Sequence, residues 1–284
     1  MPLFNLGLIG YPLSHSLSPN IHSAALRACG FEGDYSLFPI YPEDKNGLQD
    51  LLSRVRSGEI HGLNVTIPHK QNVISFLDVL TSTSEAIGAV NTIYLREGKL
   101  IGDNTDAAGF LTDLKNFLAT AEQSNESKSA LILGAGGSAR AVVYALLNDG
   151  WDVIIAARRI EQAQHLADSI ANTKSPDVVS SFTDVEFSKI ALIVNTTPVG
   201  MTPNIDQSPL PENLSLPRHV SMYDLVYNPR ETKLVKEARA RGLNATTGLG
   251  MLIEQAALAF ELWTGHNPSR EIMRASVEGS PVSN

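Results

Sequence analysis

The chain of 284 residues is 43% apolar and 18% charged, the balance of a globular protein with one large or two medium domains and a core that needs no disulfide or metal staple. Its net charge of −8, with a pI near 5.4 and no Lys/Arg cluster, argues against nucleic acid as a partner. The one cysteine, Cys29, rules out an internal disulfide and points to a reducing, cytoplasmic setting.

The N-terminus, MPLFNLGLIGYPL, is apolar, but no Lys or Arg precedes it and Pro and Gly interrupt it. It reads as a buried first strand over Leu6–Ile9, not as a signal peptide. No apolar run approaches the roughly 18 residues of a membrane span. A helix follows over Asn20–Ala28, with Ser18 as N-cap, Pro19 at its first position and Gly30 just past its end. Leu63–Ile67 reads as a strand that Pro68 ends, and Val90–Leu95 and Leu100–Asp103 flank Glu97-Gly98 as a hairpin. Thr105–Leu118 is the helix that leads out of this half.

Hydroxyls and amides crowd the predicted strand ends of this half. Ser14-His15-Ser16 follows the first strand, and Asn64-Val65-Thr66 lies in the second, with Lys70 just beyond. Asn91 opens the hairpin, and Asn104-Thr105-Asp106 begins the next helix. A small polyol acid needs such groups: neutral donors and acceptors for its hydroxyls, and donors for its carboxylate. Singly, each has an ordinary explanation, as a solvated lysine, a turn serine or an aspartate at a helix N-terminus. Spacing alone does not bring them together.

A polar connection, Ala119–Ser129, leads to the strongest local signal, Ala130-Leu-Ile-Leu-Gly-Ala-Gly-Gly-Ser-Ala-Arg140. An apolar strand ends in Gly134, Gly136 and Gly137; a helix over Ala139–Leu147 follows, Gly150 stops it, and Trp151–Ala157 is a second strand. Gly134-x-Gly136-x-x-Ala139 between strand and helix is the context of a dinucleotide fingerprint, with the pyrophosphate at the helix N-terminus. An NAD enzyme usually places Asp or Glu at the end of the second strand, for the ribose hydroxyls. Here stands Ala156-Ala157-Arg158-Arg159, and two guanidinium groups suit a 2′-phosphate, so NADP is favoured.

Helices over Glu161–Ile170 and Thr232–Arg241, the latter closed by Gly242, alternate with strands over Ala191–Val194 and Val220–Val226, which predicts a parallel, doubly wound sheet. Met251–Trp263 is an amphipathic helix, and the chain after Pro268 reads as increasingly polar and frayed. Because a tail helix must bury its apolar face, it is expected to complete the N-terminal domain. The expected division is therefore 1–105 with 249–284, and 106–248. HExxH, cysteine pairs and GxSxG are lacking, so neither a metal site nor the commonest serine hydrolase is expected. Five Asn-x-Ser/Thr matches, at Asn64, Asn125, Asn195, Asn213 and Asn244, read as chance.

Seven blocks together resemble the shikimate dehydrogenase family, in its order. They are Ser14-His-Ser-Leu-Ser-Pro19, Asn64-Val-Thr-Ile-Pro-His-Lys70, Gly88-Ala-Val-Asn-Thr92, Gly102-Asp-Asn-Thr-Asp106-x-x-Gly109, Asn195-Thr-Thr-Pro-Val-Gly-Met201, Tyr223-Asp-Leu-Val-Tyr227-Asn-Pro229 and Gly248-x-Gly-Met251-x-x-x-Gln255. The resemblance implies an α/β protein of two domains: an N-terminal α/β substrate domain and a Rossmann-type doubly wound domain for NADP(H), with a cleft between them. It implies a reversible reduction of 3-dehydroshikimate to shikimate.

By the same resemblance, Lys70 and Asp106 match the catalytic pair, and Ser14 and Ser16 the hydroxyls that receive the substrate carboxylate. Asn64, Thr66, Asn91, Tyr227 and Gln255 match further substrate contacts. Gly134, Ala135, Gly136, Gly137, Ser138 and Arg158 match cofactor contacts, to which the strand-end reading adds Arg159; Leu225, Gly248 and Met251 are expected near the nicotinamide. Ala157-Arg158-Arg159 departs from the family's frequent Asn-Arg-Thr, losing a small polar contact and gaining a charge. A quinate/shikimate dehydrogenase with broader substrate or NAD use is the alternative, and a non-catalytic metabolite-binding relative is the more distant one. The oligomeric state stays open, a homodimer included.

Overall fold

The computed structural model describes residues 1–120, 127–170 and 174–278. The chain forms two compact units, Met1–Gly109 with Ile253–Asn284, and Phe110–Leu252.

In the first unit, strands β1 (Leu3–Gly10), β2 (Glu32–Pro39) and β3 (Gly62–Val65) run parallel with β1 in the middle. Helix α1 (Ser18–Ala28) connects β1 to β2, and α2 (Lys45–Arg56) connects β2 to β3. A single-turn helix α3 (His69–Asn72), a short strand β4 (Val79–Leu80) and helix α4 (Ser82–Ile87) precede a hairpin of β5 (Thr92–Arg96) and β6 (Lys99–Asp103). The hairpin turns on Glu97 and Gly98, both at positive φ (51° and 74°), the pair of left-handed residues that a two-residue turn requires. Sheet order is β2-β1-β3-β5-β6-β4.

This topology decides where the polar side chains go. Strand β5 is antiparallel to β3, with Asn64 opposite Thr92, and β6 is antiparallel to β5, with Thr92 opposite Asp103. The start of β5 and the end of β6 therefore lie at the edge where β1 and β3 end. Beneath it, Ile9, Leu63, Val65, Val90 and Ile93 pack with Leu48, Leu51, Leu52 and Val55 of α2 in one buried cluster.

The second unit is an all-parallel sheet. After α5 (Asp106–Ala119), strands β7 (Ser129–Leu133), β8 (Asp152–Ala156), β9 (Asp177–Val179), β10 (Leu192–Asn195), β11 (Ser221–Asp224) and β12 (Ala245–Thr247) pair in the order β12-β11-β10-β7-β8-β9. Helices α6 (Gly137–Asn148), α7 (Ile160–Ser169) and α8 (Lys233–Ala240) connect them. The order reverses direction between β7 and β10, which is the doubly wound dinucleotide-binding arrangement and its switch point. Helices α9 (Leu249–Thr264) and α10 (Arg270–Glu278) close the chain.

Several expectations need correction. Ser18 is the first helical residue of α1, not its cap; Leu17 holds the cap position without a side-chain bond, and the Ser16 hydroxyl accepts from the Ser18 N–H at 3.3 Å. The chain after Pro268 does not fray at once, because α10 buries Met273 and Val277 and packs against α1. Strand β2 and helix α2 went unread: β2 begins with Glu-Gly-Asp, turn-like residues on an edge strand, yet it pairs with β1 along its whole length. Most of the polar connection 119–129, Asn125 among it, lies outside the described residues, as do 279–284 of the polar tail.

Candidate active site

Lys70 and Asp106 meet. Pro68 ends β3's extension and α3 begins at His69, so Lys70 stands one residue into a short turn. Its backbone is fixed by the Val90 N–H, which donates to the Lys70 carbonyl at 2.8 Å, and by His69, whose Nε2 lies 2.7 Å from the Ile40 carbonyl. Asp106 is the first residue of α5, where the helix dipole favours a carboxylate. Lys70 Nζ lies 2.5 Å from Asp106 Oδ2, with the two side chains only 12% and 6% exposed. A charge pair this deep is held by its neighbours, and the second oxygen, Oδ1, accepts from Asn91 Nδ2 at 2.9 Å.

Asn91 is the hub. Its buried amide donates to Thr105 Oγ1 (2.9 Å), Asp106 Oδ1 (2.9 Å) and Gln255 Oε1 (3.3 Å), while its oxygen accepts from the Thr105 backbone N–H (2.8 Å) and the Thr92 hydroxyl (3.1 Å). Asn64 joins through Nδ2, which donates to the Asn91 carbonyl at 3.2 Å and to Thr92 Oγ1 at 3.4 Å. Gln255 reaches the network because α9 passes close to Gly109, where a Cβ would sit 2.7 Å from the Gln255 backbone nitrogen. Lys70, Asp106, Asn64, Asn91 and Gln255 thus form one connected set at one sheet edge.

Ser14, Ser16 and Thr66 line the same edge without joining that set. Ser14 is exposed, and neither its hydroxyl nor that of half-buried Thr66 has a hydrogen-bond partner among the described residues. Gly10 brings the β1 and β3 exits together, since a Cβ there would meet Thr66 Cγ2 at 2.4 Å. Thr92 and Tyr35 have no role in the sequence reading, and Thr105 stands there only among the polar groups that begin α5; their side chains hold Asn91 and Asn64, and only the fold brings them there.

The second unit has a different kind of edge. Gly134 takes φ +107°, and its N–H donates to the Ala156 carbonyl at 2.9 Å, tying the glycine turn to the end of β8. A Cβ at Gly134 would lie 2.8 Å from Thr196 Oγ1, whereas one at Gly136 would meet nothing. Helix α6 starts at Gly137 with no side chain capping it. Open space over Gly136 and an uncapped helix N-terminus fit a pyrophosphate. Two and three residues past β8, Arg158 and Arg159 are exposed, and their guanidinium groups have no partner among the described residues. Together these residues fit NADP, with Gly134–Ser138 at the pyrophosphate and the arginines at a 2′-phosphate.

Leu225, Gly248 and Met251 gather where β11 and β12 end. A Cβ at Gly248 would lie 2.3 Å from the Leu225 carbonyl oxygen, so only glycine lets those backbones approach, and Met251 is buried in the first turn of α9. Half-buried Tyr227 follows β11, and burial holds its phenol above the ordinary range. Asp224 ends β11 fully buried, accepting from Asn195 Nδ2 (2.8 Å), the Val226 N–H (3.1 Å) and the Thr232 hydroxyl (2.7 Å). Burial outweighs those three donors and pushes its carboxyl up to about 6.

Family models match most of the chain: the shikimate dehydrogenase substrate binding domain over residues 8–93, shikimate / quinate 5-dehydrogenase over 118–222, and the shikimate 5'-dehydrogenase C-terminal domain over 248–278. A shikimate dehydrogenase (NADP(+)) of Methanocaldococcus jannaschii is 41% identical over 276 residues, 96% of this chain and 95% of that one. The chain belongs to the shikimate dehydrogenase family. Two solved members of the family extend the likeness to the fold. A shikimate dehydrogenase in complex with NADP+ superposes with a TM-score of 0.89 at 38% identity, over 99% of this chain and 96% of the other. The shikimate 5-dehydrogenase of Thermus thermophilus, in complex with NADP(H) and shikimate, gives 0.83 at 37% identity over 97% and 98%.

Proposed function

We propose that the chain is an NADP-dependent oxidoreductase that reversibly reduces 3-dehydroshikimate to shikimate, in the pathway to chorismate and the aromatic amino acids. The observation that carries this reading is the buried Lys70–Asp106 contact inside a network of neutral amides and hydroxyls. Residues 1–105 with 249–284 hold the substrate, and 106–248 hold the nucleotide.

NADP, when bound, supplies or accepts the hydride. The protein's part is the proton. In reduction the substrate carbonyl gains negative charge on oxygen, and Lys70 Nζ gives that oxygen a proton; in oxidation Lys70 takes it back. Asp106 Oδ2 orients Nζ, and Asn91 holds the other carboxylate oxygen so that the aspartate does not turn. Ser14 and Ser16 receive the substrate carboxylate; Asn64, Thr66, Asn91, Tyr227 and Gln255 sort its hydroxyls. Gly134, Ala135, Gly136, Gly137 and Ser138 hold the pyrophosphate, Arg158 and Arg159 grip the 2′-phosphate, and Leu225, Gly248 and Met251 flank the nicotinamide.

A single free cysteine supports a cytoplasmic setting. Among the described residues no helix is long and apolar enough to cross a membrane. The oligomeric state, a homodimer included, is a matter for sedimentation.

The test is absorbance at 340 nm as the protein meets shikimate with NADP, then with NAD, then with quinate in place of shikimate. Fast reduction confined to NADP and shikimate is the expected result. Comparable rates with NAD or quinate would move the chain to the broader quinate/shikimate group, and no rate with any pair would overturn the enzymatic reading.

A further inference from the structure

We propose that Asp224 is a positioning residue for the nicotinamide end of the cofactor: it locks the exits of β10 and β11 and the start of α8 against one another. The inference rests on the reading of Leu225, Gly248 and Met251 as the nicotinamide's neighbours, and names what holds them. Both oxygens of the Asp224 carboxylate act as acceptors, and their donors come from three segments. Oδ1 accepts from Asn195 Nδ2 (2.8 Å) and from the Val226 N–H (3.1 Å), and Oδ2 accepts from the Thr232 hydroxyl (2.7 Å). A carboxylate accepts at two oxygens and donates at neither, whereas an asparagine in its place would turn an NH2 toward one of these donors. Burial opposes the anion, so the three contacts serve placement more than stability.

Each donor carries the hold further. Asn195 also donates to the Val199 carbonyl at 3.3 Å, and its oxygen accepts from the Thr197 N–H (3.0 Å) and the Thr197 hydroxyl (2.7 Å). The loop after β10 is thereby pinned beside the glycine turn, where a Cβ at Gly134 would lie 2.9 Å from Thr197 Cγ2. The Leu225 N–H donates to the Asn195 carbonyl at 2.9 Å, so Asn195 holds Leu225 as well as Asp224. The bond from the Val226 N–H closes a tight turn straight after β11, and the Leu225 carbonyl within that turn is the one that Gly248 approaches. Thr232 caps α8, accepting from the Val235 N–H at 3.3 Å. One carboxylate therefore fixes both ends of the segment 225–231, which carries Leu225 and Tyr227. Asn195, Asp224 and Thr232 are all fully buried, so water does not compete for these bonds.

Asp224→Asn keeps the shape of the side chain and removes one acceptor. Its test is isothermal titration with NADP and with adenosine 2′,5′-bisphosphate, which carries the 2′-phosphate end of the cofactor without the nicotinamide, beside steady-state rates at 340 nm. We expect kcat to fall roughly 10- to 100-fold, the effect of a misplaced reacting group, with the KM for shikimate changed less. NADP should bind roughly 3- to 10-fold more weakly while the bisphosphate binds within about twofold of wild type. Unchanged kcat and NADP affinity, or equal weakening of both nucleotides, would overturn the inference; the second result would make Asp224 a support of the whole unit. Should Asp224→Asn not fold, Thr232 decides. Thr232→Ser keeps the hydroxyl and should bind NADP as wild type does, whereas Thr232→Val loses it and should weaken NADP but not the bisphosphate. Like behaviour of those two variants would contradict the inference. A wild type that binds NADP but turns over no shikimate would overturn the enzymatic reading alone, with the affinity pattern of Asp224→Asn still deciding the inference; a wild type that does not bind NADP would overturn both.

Discussion

The two sheets present edges of opposite construction. At the first unit's edge the polar groups are side chains: Asn64, Asn91, Thr92, Thr105, Asp106 and Gln255 are buried and bonded to one another, so each is held in place by its neighbours. At the second unit's edge the open features belong to the backbone, with glycines at 134, 136 and 248 and an uncapped helix start, beside two arginines with no partner among the described residues. A small chiral substrate has to be distinguished by hydroxyl geometry, which calls for fixed donors and acceptors. A dinucleotide is bound largely through its phosphates, which calls for close backbone approach and charge.

The largest effect that would break this contrast is on chemistry. Lys70→Ala should lower kcat by roughly 10²- to 10⁴-fold while the KM for shikimate changes much less, read by steady-state rates at 340 nm. A loss expressed in KM alone would make Lys70 a binding residue.

Next comes stability against pH, where the two units should move in opposite directions. Burial pushes the His22 imidazole down to about 3, so the unfolded chain takes up a proton that the fold refuses. The first unit keeps its full stability above the ordinary histidine value of about 6.5 and loses it as pH falls toward 3, on the order of 3 kcal/mol by pH 4. Asp224 is the reverse case, a carboxyl raised to about 6. Its burial as an anion costs about 3 kcal/mol above pH 6, and that cost lifts as pH falls from 6 toward 4. Hydrogen exchange followed between pH 7 and 4 should show protection falling around His22 and rising around Asp224, and Asp224→Asn should flatten the second trend.

Third, replacing Arg158 and Arg159 together with Ala should raise the KM for NADP roughly 10- to 100-fold and leave the KM for NAD and shikimate alone. Smallest is Gly134→Ala. The side chain needs φ +107° and meets Thr196 Oγ1 at 2.8 Å, a cost of about 1–3 kcal/mol that a thermal melt would register together with weaker NADP binding.

The two edges also differed in how much the sequence disclosed. The nucleotide edge was legible, because strand, glycine turn, helix and strand follow within about 30 residues and the arginines close the unit. The doubly wound sheet follows from the same alternation. The substrate edge was legible only as scattered polar residues at predicted strand ends; resemblance, not spacing, grouped Lys70 with Asp106. Their contact depends on the antiparallel hairpin, which returns residues 91 and 106 to the edge where β3 ends. Tyr35 was out of reach because β2 itself went unread, and Asp224 because its burial depends on packing between β10, β11 and α8.

The most direct measurement is isothermal titration of the Lys70→Ala protein with shikimate and, separately, with NADP, beside its turnover. The account predicts that both ligands bind within threefold of wild type while turnover collapses, because the variant removes the proton donor and neither binding edge. Turnover within threefold of wild type, or NADP affinity falling together with turnover, would contradict the division of labour between the two edges.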